Sequence, residues 1–88
     1  MIATVVGRIV VSRAGRDAGR KFVVVKVIDD LYVEIADGDL RRVEKPKKKK
    51  IKHLDITDVT VEVIAEKLRS NGRITNAEVR KALAGLVS

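Results

Sequence analysis

The residues best suited to chemistry lie between positions 8 and 21: Arg8, Arg13, Arg16, Arg20 and Lys21, interleaved with Gly15 and Gly19. Guanidinium groups grip phosphate oxygens in a bidentate fashion, and an ammonium adds a compact point charge. The two glycines permit turns and close backbone approaches that residues with a Cβ resist, although a hairpin needs turn glycines whatever it binds. The ligand that best fits this combination is a phosphate backbone. Asp17, within the same loop, is a poor phosphate ligand and reads as the tether of a loop arginine or the closure of a turn. A second cationic stretch comprises Lys45, Lys47, Lys48, Lys49, Lys50 and Lys52. It fits a phosphate backbone better than a lipid surface, because lipid binding normally adds an amphipathic or lipidated anchor.

Other chemistries lack their residues. His53 is the sole histidine and there is no cysteine, so a thiolate or histidine metal site and a histidine-based acid/base pair lack their partners. Asp29, Asp30, Asp37 and Asp39 sit at expected turns, where solvation and backbone preference explain them. No catalytic residue, metal or cofactor is expected.

The net charge is +7, and its distribution is uneven. Residues 1–54 hold 14 Lys and Arg against 7 Asp and Glu, whereas residues 55–88 hold 5 of each. A basic binding half and an electrically neutral half follow. Apolar residues make up 45% of the 88 and charged residues 35%, and no apolar stretch approaches the roughly 20 residues of a membrane span. The N-terminal stretch has no basic region ahead of an apolar core, so a soluble cytoplasmic chain is expected, without membrane association.

The elements that must position the cations are short. Residues 5–12 and 22–28 read as antiparallel strands on either side of the basic loop, the second nearly continuous in β-branched residues, as when both faces are covered. Asp29-Asp30 supplies a turn, residues 31–35 a third strand, Asp37-Gly38-Asp39 a tight turn, and residues 40–44 a short fourth strand. Pro46 should end the sheet. The lysines that follow repel one another, so the tract at 45–53 is expected to be a mobile or extended tail pegged by Ile51 and Leu54.

Beyond it the apolar period lengthens. Val61, Ile64, Ala65 and Leu68 share a helical stripe, with Thr57 or Asp58 as N-cap and Gly72 as the stop. Thr75-Asn76-Ala77-Glu78 is a capping box, Ile74 and Val79 have staple spacing, and Val79, Ala82, Leu83 and Leu86 form a second stripe. Two helices this short cannot hide both stripes alone and should pack on the sheet or on a partner. The organisation expected is a small β-barrel over residues 1–54 and a two-helix extension over 55–88.

Gly7-Arg8-Ile9-Val10, the loop Gly15-Arg16-Asp17-Ala18-Gly19-Arg20, the strand ending Val27-Ile28-Asp29-Asp30 and the later Ala36-Asp37-Gly38-Asp39 together resemble a KOW domain. More narrowly, residues 5–54 resemble the eukaryotic and archaeal large-subunit ribosomal proteins numbered fourteen and their small bacterial relatives. The resemblance implies a mainly β, SH3-like barrel whose loop contacts RNA, usually ribosomal RNA, without catalysis. Arg16 stands where that family often has proline, which adds a cation. The helices lie outside the motif.

The function expected is therefore non-catalytic binding of ribosomal or other structured RNA by a monomer. Arg13, Gly15, Arg16, Gly19, Arg20 and Lys21 form one contact, and Lys47, Lys48, Lys49, Lys50 and Lys52 the other. Phe22 and Tyr32 are the only aromatics and read as packing residues, so recognition should rest on phosphate and shape rather than on base edges. The competing expectation is a protein-interaction module that docks through the C-terminal helices, since SH3-like barrels serve both purposes.

Overall fold

The computed structural model describes residues 5–85. Five strands, β1 (Arg8–Ser12), β2 (Lys21–Val27), β3 (Tyr32–Ala36), β4 (Lys47–Lys50) and β5 (Leu54–Thr60), precede two helices, α1 (Glu62–Arg69) and α2 (Asn76–Ala84). The strands form one antiparallel sheet in the order β4-β3-β2-β1-β5.

Chain connectivity makes this sheet curl. A flat five-stranded sheet would separate its outer strands by about 19 Å, at roughly 4.8 Å per step. The three-residue 3-10 turn Ile51–His53 joins those outer strands, and four residues of chain reach no more than about 14 Å. The sheet therefore wraps around one face, as in SH3-like folds, but β4 and β5 are not hydrogen-bonded to each other. The expected barrel is thus an open, curled sheet, its gap bridged by the 51–53 turn.

Strand alternation sorts the apolar residues into two cores. Val10, Phe22, Val24, Val33, Ile35 and Leu54 fill the enclosed face, with Ile51 and Ile56 packed against them. Ile9 and Val23, from the opposite face, pack with Ile64 of α1 and with Val79 and Leu83 of α2. Each such side chain contributes about 1.5–3 kcal/mol when fully buried. The unbroken run in β2 is explained by this arrangement: Phe22 and Val24 serve one core, Val23 the other. The described residues of both helical stripes, Val61, Ile64, Leu68, Val79, Ala82 and Leu83 among them, pack against the sheet.

Three local expectations are corrected. Residues 40–44 form no strand; they belong to a loop organised by Asp37, whose Oδ1 accepts from the backbone N–H groups of Asp39 (2.9 Å) and Arg41 (2.8 Å). The fourth strand is the lysine tract itself: Lys47, Lys48, Lys49 and Lys50 face Ile35, Glu34, Val33 and Tyr32 of β3. Backbone pairing there outweighs lysine repulsion, which water and side-chain length reduce. Residues 54–60, where Thr57 or Asp58 is expected to cap a helix, form β5, and its pairing with β1 through Thr60↔Arg8 delays the helix, so that Val61 occupies the N-cap.

Other helix boundaries follow local chemistry. After α1, Asn71 rather than Gly72 takes the left-handed position, at φ 60°, a role asparagine tolerates. The capping box of α2 is formed: Thr75 Oγ1 accepts from the Glu78 N–H and Glu78 Oε1 from the Thr75 N–H, both at 3.1 Å. Gly7, at φ 84°, lies so near α1 that a Cβ placed there would stand 2.6 Å from Ala65 Cβ. Its carbonyl accepts from the Val61 N–H at 2.9 Å, fixing where α1 starts. Leu86, read as part of the second stripe, lies outside the described residues.

Candidate nucleic-acid interface

The basic loop is a built structure. Gly15–Asp17 form a 3-10 turn, entered and left through Gly15 (φ 76°) and Gly19 (φ 84°). The loop base is closed by backbone bonds from Ser12 N to Arg20 O (3.0 Å) and from Gly19 N to Ser12 O (2.8 Å). Nothing lies within 4 Å of a Cβ built on Gly19, so it is the backbone angle rather than crowding that selects glycine there.

Two buried carboxylates hold this loop to its neighbours. Asp17, 5% exposed, receives Arg41 NH2 at 3.3 Å and Lys47 Nζ at 3.5 Å. Asp37, also 5% exposed, receives Arg20 NH1 at 3.4 Å. Burial pushes the Asp17 carboxyl up, but the hydrogen bond and charge of Arg41, together with Lys47, outweigh it and leave the group below its ordinary value. Asp17 is therefore a tether, although its partners lie outside its own loop.

Strand alternation divides the lysines. Lys47 and Lys49 lie on the same side of the sheet as Ile35 and Val33 and turn toward the loop, where Lys49 Nζ donates to Ala14 O at 3.4 Å. Lys48 and Lys50 occupy the other side, and Lys48 Nζ lies 4.5 Å from the centroid of the Tyr32 ring. Lys52 is exposed on the following turn. Loop and tract are thus brought together through Lys47 and Lys49, not through all five lysines.

The arginines also differ. Arg13 reaches Asp55 at 3.5 Å in an exposed pair. Arg20 is committed to Asp37. Among the described residues Arg16, Lys21, Lys50 and Lys52 make no ion pair, and Arg16, Lys50 and Lys52 are exposed. Arg42, which is exposed, and Arg41, which contacts the buried tether, were missed as a strand in the sequence. The signal available was their charge density, continuous with Lys45 and the tract.

A curled five-stranded antiparallel sheet that carries a cationic loop and a lysine edge strand has the architecture of a small SH3-like β fold. No protein-family model matches the chain. It is 38% identical over 89 residues to large ribosomal subunit protein eL14 of Hyperthermus butylicus, covering 99% of this chain and 84% of that protein. It is 38% identical over 84 residues to eL14 of Pyrobaculum calidifontis, covering 93% and 75%. It is 41% identical over 63 residues to eL14 of Desulfurococcus amylolyticus, covering 72% and 66%. The chain belongs to the eL14 family of large ribosomal subunit proteins.

Proposed function

We propose that this protein is a non-catalytic component of the large ribosomal subunit that binds ribosomal RNA through the phosphate backbone. The observation that carries the reading is the joining of two basic elements, loop 13–21 and strand β4, by Asp17 and by Lys49. Each alone is a cationic segment; joined, they form one rigid ridge that can follow a folded RNA strand. Arg16, Lys50 and Lys52 supply free cations, Arg13 and Lys48 are held near the surface, and Lys21 flanks the loop. Arg20 and Lys47 act mainly by holding the ridge in shape, and Gly15 and Gly19 by setting the loop's path. The membership in eL14 supports a cytoplasmic ribosome as the place of action, and no helix among the described residues is long and apolar enough to cross a membrane. A protein-docking role for the helices is disfavoured because the described residues of their apolar stripes, Ile64, Val79 and Leu83 foremost, are spent on the sheet.

The test is ultraviolet crosslinking of the tagged protein in its own cells, with sequencing of the attached RNA. Crosslinks concentrated in large-subunit ribosomal RNA, on peptides that include residues 13–21, are expected. Crosslinks scattered over messenger RNA, or none above background, refute the proposal. In vitro, neutralising about five phosphates gives log K against log salt a slope of roughly −3.5 to −4.5, and a salt-independent affinity excludes the mechanism.

A further inference from the structure

We propose that the notch at the β2–β3 turn is a pocket for a single unpaired nucleobase of the bound RNA, a proposal that rests on the RNA-binding reading above. The notch, about 450 Å3, is lined by Asp30, Leu31, Tyr32, Lys50, Ile51 and Lys52. Leu31 is 66% exposed, the largest exposure among the large apolar side chains described. Tyr32 is the only tyrosine of the chain and is half-buried beside it. Side by side at the mouth of one notch, an aliphatic and an aromatic surface offer a contact on which a planar apolar group can lie.

The flanking charges name the occupant. Lys50 and Lys52, neither in an ion pair among the described residues, border the apolar surface, and Lys48 holds a third ammonium over the Tyr32 ring. A nucleotide combines what this arrangement demands: a flat apolar face for Leu31 and Tyr32, and an anion for the lysines. Phosphate alone leaves the apolar surface uncovered and meets Asp30. The Asp30 carboxylate has no ion-pair partner among the described residues, whereas Asp29 Oδ1 is occupied by the N–H groups of Leu31 and Tyr32 at 2.8 Å each. Asp30 is thus able to accept from the N–H donors on a base edge. This gives Tyr32 a role that packing at a sheet margin does not.

The chain carries its own reporter, because with no tryptophan and one tyrosine its ultraviolet emission comes from Tyr32. The full chain is titrated with an end-labelled eight-nucleotide single-stranded RNA and with an oligomer of equal phosphate count whose bases are removed. Binding is read by anisotropy, and Tyr32 emission is corrected for light absorbed by the bases. The expected result is quenching by the base-bearing oligomer alone, with affinity at least about five-fold higher than for the abasic one. Leu31→Ala, at an exposed position, should shrink that preference while leaving abasic binding unchanged. Equal affinities without quenching overturn the pocket while leaving backbone binding intact. Failure of both oligomers and of ribosomal RNA to bind refutes the RNA reading, and the pocket with it.

Discussion

Replacing Asp17 by asparagine separates a shaped ridge from a merely positive surface. The substitution removes a negative charge from a basic face, so charge counting alone makes RNA binding tighter. The geometry demands the reverse. Asp17 Oδ2 holds Arg41 at 3.3 Å and Lys47 at 3.5 Å, and its release uncouples loop, 37–46 turn and β4. A hydrogen bond to a charged group contributes about 1.5–3 kcal/mol. Both cationic partners are 35% exposed and recover water when freed, which discounts the loss to about 1–2 kcal/mol. For a domain of this size each kcal/mol lowers Tm by roughly 4–8 °C, readable by thermal melting. Because the Asp17 pKa is depressed on folding from an ordinary value of 3.8, its contribution is fully present well above that value. The contribution disappears as pH falls below about 4 through the folded pKa, so wild type and D17N should converge in stability there. Affinity for the large-subunit RNA fragment recovered by crosslinking should fall. Unchanged or tighter binding by D17N with a lowered Tm would show that the tether serves the fold alone; an unchanged Tm at neutral pH would refute the energetic argument itself.

Three further outcomes follow from single contacts. Arg16→Glu, at an exposed position without an ion pair, should weaken RNA binding about ten-fold or more, the scale of a charge reversal near phosphate, with Tm within about 2 °C of wild type; equal loss of both would make Arg16 structural. Gly7→Ala should cost about 2–4 kcal/mol, from the left-handed angle and the clash with Ala65, measured as a fall in urea midpoint; a loss below about 1 kcal/mol would mean that α1 moves aside freely. Thr75→Ala should cost about 1 kcal/mol in the same assay by removing the cap of α2, and an unchanged midpoint would show that packing alone starts the helix.

What the sequence made legible depended on whether the signal was local. The first three strands and the Thr75 to Glu78 cap follow from alternation and from side chains that bond their own backbone, and these are found, whereas the expected hairpin at Asp37-Gly38 is a loop, because no strand follows it before Lys47. The lysine strand was hidden because its stability comes from pairing with β3, sixteen residues or so distant, and lysine's own preference points elsewhere. β5 was hidden for the same reason: Leu54 and Ile56 declare themselves only when β1 lies beside them. At the interface the cations were legible as charge, but their division was not. Which lysine meets Asp17, Ala14 or Tyr32 depends on strand register, and that Arg20 is committed to Asp37 depends on the fold of a loop 17 residues away.

Four consecutive lysines along an outer strand have a consequence for the protein before it finds its site. An unpaired strand margin invites a second chain to add itself, and aggregation starts there; a row of ammonium groups makes two such margins repel. β4 is thus a guard against self-association whose strength falls with salt.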